Sequence, residues 1–476
     1  MAYLHARIKP LRSAAVLLAC AVVAVSTLTP VASATAAEAP RCGSLSSNVW
    51  ERVNPATQAS TLTLTQAASN STAGQGFTSL REPSMKVAAK GGRGLVAVHR
   101  LYRARYGGDY FYAATSGERS RAIARGYTDL GVAFYASRVK ASCLTAVWSY
   151  EKGGVHRFVT APSDIAALRA AGWRQEMVRF YAGKPSVDPK FSLAVYPDTQ
   201  QEVGTDRRFV NRANWLVANR SKLDLRYVTH TGDVVNWDTP DHAQYEVARK
   251  ALKPLDEAQI PYSLSIGNHD SQATGVGGGA RDAKRTRALF RDTTVFNAYL
   301  DNQDVDLEGA YEPGKVDNAY HVFTAGGVGW LVLNLELWPR PGAVNWAQEV
   351  VASHPKHNVV IVTHSYLTSK GAISGRSEYG DTSPKLLSDQ LVKKYANVRM
   401  VLSGHTGTAA HRVDTGVHGN KIDSFLLAMH SNTTNPMRLI EIDTRANTVK
   451  SWVYAPWDDT DYPSYTVKLS SRAWVR

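Results

Sequence analysis

The chain has 476 residues, more than one domain at the usual rate of about 150 residues each. Its 44% hydrophobic and 20% charged residues, with 11 Trp and 22 Tyr, exclude a disordered chain, and only 3 Cys exclude a disulfide-stapled miniprotein. Lys and Arg outnumber Asp and Glu by 55 to 41, a formal +14, which points to anionic partners without choosing among nucleic acid, phosphorylated substrates and an anionic envelope.

Arg7, Lys9 and Arg12 precede an apolar run from Ala14 to Leu28 that ends in small residues. This is the order of a secretory signal. Ala32-Ser33-Ala34 and Ala34-Thr35-Ala36 offer cleavage sites, so residues 1–36 are expected to be a signal peptide of a secreted, extracellular protein. The run is shorter than the roughly 20 residues needed to span a bilayer, so no transmembrane anchor is expected. Cys20 lies in the middle of the run and makes a poor lipoprotein start. Cleavage removes three basic residues and no acid, lowering the formal charge from +14 to +11. It leaves Cys42 and Cys143, which are expected to pair as a disulfide in an oxidising compartment.

Residues 42–183 contain an internal repeat. Gly126-Tyr127, followed by Phe134-Tyr135-Ala136, recurs as Gly172-Trp173, followed by Phe180-Tyr181-Ala182, with a fainter first copy at Gly76-Phe77. Three copies with short aromatic strands and glycine turns predict a closed three-fold all-β unit, a β-trefoil. The segment Val98-His99-Arg100-Leu101-Tyr102, Gly108-Asp109-Tyr110-Phe111-Tyr112, Glu118, Gly126-Tyr127 resembles a short repeat of secreted proteins that accompanies hydrolase domains. That resemblance implies an accessory module able to bind glycan or cell wall. The plainer reading of each aromatic is the core of its repeat.

A Pro-containing joint, residues 184–189, leads into a different texture over residues 190–476. Apolar runs at Phe191 to Tyr196, Leu225 to Thr231, Tyr262 to Ile266, Val328 to Leu335, Val359 to Thr363 and Val398 to Ser403 predict strands. Amphipathic stretches at Asp206 to Ser221, His242 to Ala258 and Pro384 to Tyr395 predict helices between them, the last capped by Ser383. This is an α/β pattern.

Five of these strands end in residues able to bind metal or move protons: Pro197-Asp198-Thr199-Gln200, Thr231-Gly232-Asp233, Gly267-Asn268-His269-Asp270, Thr363-His364-Ser365 and Ser403-Gly404-His405-Thr406-Gly407. Such strand ends are where α/β folds place their sites. In this order the five motifs resemble the calcineurin-like metallophosphoesterase family, over most of residues 190–476. The resemblance implies an α/β/β/α sandwich of two sheets flanked by helices. It also implies hydrolysis of a phosphate ester by in-line attack of a metal-bound hydroxide.

By that resemblance, Asp233 bridges two metals, Asp198 binds the first, and Asn268, His364 and His405 complete the second. His269 stands near the leaving group as general acid, with Asp270 orienting its ring. Oxygen and imidazole ligands suit divalent Mn, Zn, Fe or Mg and leave the choice open. The first site departs from the family, which places histidines where this chain has Gln200 and Gly407. Gln200 supports that metal only through its amide oxygen, which leaves three outcomes open: a loosely held first metal, a single-metal enzyme built on the second site, or rescue by His411, Asn236 or Asp238. The Pro-Asp-Thr-Gln form itself resembles a branch of the family that is mostly secreted and bacterial.

His230 and His321 read as groups in or beside strands that either support the ligand residues or pack. Gly275 to Gly279, followed by Arg281, Lys284, Arg285 and Arg287, reads either as a basic loop able to clamp an anion or as a solvated lead into a helix near Ala283. No dedicated nucleic-acid motif accompanies the charge. The expectation is therefore a secreted phosphoesterase acting on monoesters of a phosphorylated small molecule or polymer. The alternatives are a phosphodiesterase of nucleotides, lipid head groups or wall polymers, and a catalytically weak protein that binds phosphate or wall polymer.

Overall fold

The computed structural model describes residue 40 and residues 42–476, apart from 66–67, 70–71, 78, 186–187, 205–206 and 302–306. The expected leader, residues 1–36 with Cys20, lies outside the described residues, as do Ser186 and Val187 of the joint. No helix among the described residues is long and apolar enough to cross a membrane.

The amino-terminal half runs β1 (Ser47–Val53), β2 (Ser60–Thr63), β3 (Ser79–Val87), then β4 (Val96–Arg103), β5 (Asp109–Ala113), α1 (Ser116–Ala124), β6 (Thr128–Ala136), then β7 (Leu144–Lys152), β8 (Val155–Val159), α2 (Pro162–Ala170), β9 (Arg174–Gly183). In each set the first strand pairs antiparallel with both of the others. The expected β-trefoil is corrected by the helices. A trefoil builds its repeats from strands alone, whereas the second and third sets insert a helix before the last strand, giving a six-stranded sheet in the order β2-β1-β3-β9-β7-β8 and a three-stranded one in the order β5-β4-β6.

Local chemistry explains the helices. The Thr115 hydroxyl accepts the Glu118 N–H at the start of α1, and Pro162 opens α2 at a first-turn position. The repeat aromatics Tyr110, Tyr112, Phe134, Phe158 and Phe180 are buried together, so they form the core of this mainly β domain. The Cys42–Cys143 disulfide is present and spans 101 positions of chain.

The carboxyl-terminal half opens with β10 (Lys190–Tyr196), α3 (Arg208–Leu223), β11 (Leu225–His230), α4 (Ala243–Glu257) and β12 (Tyr262–Leu264). Two short helices, α5 (Thr286–Phe290) and α6 (Thr294–Tyr299), lead to β13 (Gly309–Ala310), β14 (Ala319–Ala325), β15 (Val328–Leu335), α7 (Pro341–Ser353), β16 (His357–Thr363), α8 (Pro384–Leu387) and β17 (Val398–Ser403). The remaining strands are β18 (Ala409–Thr415), β19 (Lys421–Leu427), β20 (Met437–Asp443), β21 (Thr448–Ala455), β22 (Thr460–Asp461) and β23 (Val467–Leu469). The stretch expected as a helix to Tyr395 leaves the α-helical pattern at Leu387 and continues as a π-helical turn through Val392.

Two seven-stranded sheets result. One runs β12-β11-β10-β20-β21-β22 with β23 beside β21, and the other runs β13-β14-β15-β16-β17-β19-β18. Phe191, Val195, Trp330, Val362, Met400 and Ile440 pack together between them. On the outer faces, Phe209 and Leu216 of α3 and Leu252 of α4 cover the first sheet, while Val344 and Val351 of α7 cover the second. The layering is helix, sheet, sheet, helix. Strands β10, β11, β15, β16 and β17 are buried on both faces, which is why each reads as an unbroken apolar run.

Candidate metal centre

The parallel strands β10, β11 and β12 of one sheet, and β16, β17 and β19 of the other, point their carboxyl ends at one place. Asp198, two residues beyond β10, and Asp233, three beyond β11, are 1% and 2% exposed. His364, directly after β16, reaches across so that its Nε2 lies 3.2 Å from Asp233 Oδ2. One donor atom from each of these three lies within 4.8 Å of the others. The His364 Nδ1–H is fixed on the Thr231 carbonyl at 2.9 Å, which leaves Nε2 free for the cluster.

Gly267 and Gly404 of the motifs are explained by space. An ideal Cβ on Gly404 would lie 2.0 Å from Asp198 Oδ1, and one on Gly267 would lie 2.0 Å from Asp233 Oδ1. Backbone therefore packs directly on the carboxylates. The N–H of His405 donates to Asp198 Oδ2 and that of His269 to Asp233 Oδ1, each at 3.0 Å.

The electrostatics are those of a crowded acid–imidazole cluster. Burial alone would raise the Asp233 carboxyl, but His364 outweighs it and holds the group well below the usual carboxylate range. Burial pulls the His364 imidazole down, and the Asp233 and Asp198 charges overcome that and push it up to about 9. His405, whose ring lies 4.9 Å from that of His364, is lowered to about 4 by burial and by His364.

Around this cluster, Asp198 Oδ1, Gln200 Oε1, Asn268 Oδ1 and His364 Nε2 are buried without a hydrogen bond. Orphaned buried donors and acceptors are costly and rare in folded chains. Carboxylate, amide-oxygen and imidazole groups together suit divalent cations of intermediate hardness, and the residues therefore fit the metal ions that the motifs imply.

The structure brings Asp198, Gln200, Asp233, Asn268, His364 and His405 to this one edge, with His269 beside them. It corrects the expected partner of His269. The ring Nδ1–H donates to the Asn236 carbonyl at 2.6 Å, whereas the Asp270 carboxylate accepts the N–H groups of Val235 at 2.9 Å and Gly267 at 2.8 Å. Asp270 ties two loops together. Burial first, and repulsion by Asp233 second, raise its carboxyl to about 7.

Residues 191–408 match the calcineurin-like phosphoesterase family. They form a calcineurin-like phosphoesterase domain. Residues 48–183 match a domain of unknown function, DUF5648. Over 208 residues the chain is 28% identical to the uncharacterized protein YvnB of Bacillus subtilis (strain 168), an overlap of 43% of this chain and 14% of that protein. Among solved structures, a dimetal phosphatase from Danio rerio aligns with 59% of this chain and 98% of its own, at 11% identity and a TM-score of 0.37. GAP50, the anchor in the inner membrane complex of Plasmodium, aligns with 60% of this chain and 90% of its own, at 11% identity and a TM-score of 0.33.

Within the phosphoesterase domain, the three residues considered as substitutes for the missing histidines make other contacts. His411 packs on Phe425, 4.7 Å between ring centres. Asp238 pairs with His242 at 2.7 Å, and Asn236 holds His269 through its carbonyl. Instead His430, in the loop after β19, lies 3.0 Å from Asp198 Oδ2 and 3.1 Å from the Gln200 amide. Sequence reasoning missed it. The available signal was positional: β19 is parallel to β17, so its carboxyl end opens on the same edge.

His230 is buried as expected of a packing group. Its Nδ1 accepts the Gly232 N–H at 3.0 Å and its Nε2 sits 2.9 Å from the Thr199 hydroxyl, which braces the loop before Asp233. His321 is buried against Tyr227. After the glycine run, Arg281 bonds Gln272, and Arg287 of α5 pairs with Asp381, so both fasten neighbouring segments. The helix beyond begins at Thr286.

The close packing at Gly404 predicts that Gly404→Ala displaces the Asp198 carboxylate. Mn²⁺ titration by calorimetry should show binding weakened at least about tenfold, with an unchanged far-ultraviolet circular dichroism spectrum. Wild-type affinity in the variant would contradict this packing.

Proposed function

We propose that the chain is a secreted, metal-dependent phosphoesterase acting on phosphate monoesters. The observation that carries this is the buried group of Asp198, Asp233 and His364, one donor atom from each lying within 4.8 Å of the others where the two sheets meet. The calcineurin-like phosphoesterase match over residues 191–408 supports it. The Cys42–Cys143 disulfide is consistent with secretion.

Asp233 lies at the middle of the cluster and would be shared between two cations. Asp198 and Gln200 would serve one, and Asn268, His364 and His405 the other. Divalent cations held there supply an activated water at neutral pH and neutralise charge on phosphoryl oxygens. A monoester dianion gains more from such a site than a diester monoanion, which favours monoesters.

The remaining work falls to the chain. His269 keeps its Nδ1–H on the Asn236 carbonyl, so its Nε2 is the atom that can hand a proton to the departing alkoxide. A Cβ on Gly278 would lie 3.3 Å from His269 Cε1, so the glycine run walls that ring without filling its space. Asp270 keeps the His269 loop against the turn after Asp233 by holding Gly267 and Val235.

With Mn²⁺ present, the chain should hydrolyse an aryl phosphate monoester faster than the matching diester. His364→Ala should lower kcat/KM by about a thousandfold or more, the loss seen when a transition-state charge stabiliser is removed. His269→Ala should cost about 10²- to 10⁴-fold on an alkyl phosphate and less on p-nitrophenyl phosphate, whose leaving group needs no proton. Unchanged metal-dependent turnover in His364→Ala would contradict the assignment, as would saturable phosphate binding with no turnover under any divalent metal.

A further inference from the structure

We infer that His430 is a metal ligand of this centre and supplies an imidazole that the Gly404-His405-Thr406-Gly407 turn cannot. The inference rests on the phosphoesterase reading. Gly407 has φ +76°, and a Cβ there would lie 2.6 Å from Ser369 Cβ and 2.9 Å from its Cα. No side chain fits at that place, so an imidazole has to arrive from another loop.

His430 arrives from the neighbouring parallel strand. Its Nε2 is 3.0 Å from Asp198 Oδ2 and 3.1 Å from Gln200 Nε2, which is in turn 3.3 Å from Asp233 Oδ2. Turning the Gln200 amide over exchanges its atoms without needing space, and brings its unbonded oxygen into this ring of donors. Ligand atoms that share one ion at about 2.1 Å keep about 3.0–3.4 Å from each other, and these contacts have that spacing. Asp198, Gln200, Asp233 and His430 thus make a two-carboxylate, one-amide, one-imidazole set.

The test measures metal content and calorimetric Mn²⁺ or Zn²⁺ affinity of the full chain beside His430→Ala and His430→Gln. His430 is 42% exposed, so its removal opens no buried cavity, and thermal unfolding checks the fold. Loss of one bound ion, or weakening of one site at least about tenfold as expected on deleting a ligand, supports the assignment. Unchanged stoichiometry and affinity in both variants overturn it. A wild-type chain that binds no divalent metal would instead overturn the phosphoesterase reading.

A separate observation concerns the amino-terminal domain. A cavity of about 310 Å³ opens between the second and third repeats. Its cations are built in: the Arg103 guanidinium lies 4.4 Å above the Tyr127 ring and that of Arg179, itself 6% exposed, 4.6 Å above Phe111. The Nε of each has no partner. Arg121 and Arg125, at the α1 end of the cavity, have no acidic partner among the described residues. Three acids line it as well: Glu118 of α1 lies 3.5 Å from Arg179, and Glu151 and Glu176 bond Arg174 and Arg179 respectively.

We propose that this cavity takes the acidic unit of a saccharide. Its carboxylate or phosphate would meet the free arginines. Its hydroxyls would meet the glutamate oxygens. The metal-free full chain, stripped with EDTA to silence the catalytic centre, is titrated with a uronate oligosaccharide, a sugar phosphate and a neutral oligosaccharide of equal length. Saturable binding of an acidic probe, weakened at least about tenfold in an Arg121→Ala/Arg125→Ala variant of unchanged melting temperature, supports the site, and the probe that binds names the acid. Neutral sugar binding equally well, no acidic probe saturating at millimolar concentration, or an unaffected double variant overturns it.

Discussion

Two carboxylates, Asp198 and Asp233, are held almost out of water at the ends of β10 and β11, and the rest of the domain is arranged around their charge. Burying an ion costs several kcal/mol unless geometry and hydrogen bonds compensate. The protein supplies part of the compensation through the backbone, with the His405 and His269 N–H groups each donating to one carboxylate. The second sheet supplies a histidine, His364, through a strand end that faces them. Several polar atoms around them nevertheless remain without partners, a deficit that suits the site to cations.

The same constraint explains the local backbone. A peptide must approach each carboxylate closely enough to donate a hydrogen bond, and no side chain fits there, so Gly267 and Gly404 precede the residues that close the cluster. Asp233 itself adopts φ +55°, a left-handed conformation that costs energy for a residue with a side chain and concentrates at functional sites. Asp270, one residue past His269, spends its carboxylate on the two adjoining turns. It is a positioning residue for the loop.

Much of this was legible because strands buried on both faces leave continuous apolar runs, and five of the six runs ended in a polar motif. Strands β15 and β17 coincide with the runs read from the sequence. The last six strands were not legible in that way. Strand β21 alternates buried and less buried positions and β18 is mostly half-buried, so neither yields a run, and nothing local reveals that β20 inserts beside β10. Missing β19 meant missing His430, since the loop after it carries no glycine motif. Asp270 was misplaced because adjacency in sequence does not bring a carboxylate onto the next ring. In the amino-terminal half the all-β texture and its aromatic core were legible, while two nine-residue helices of low amphipathicity were not.

The central claim is that a charge deficit built into the fold is filled by divalent cations. Thermal unfolding of the metal-stripped chain, followed as Mn²⁺ is added, tests it most directly. A ligand that binds only the folded state adds about 2.7 kcal/mol at a hundredfold excess over its Kd, so the melting temperature of the phosphoesterase domain should climb with Mn²⁺ and fall back on chelation. A melting temperature indifferent to every divalent cation tried would contradict the account.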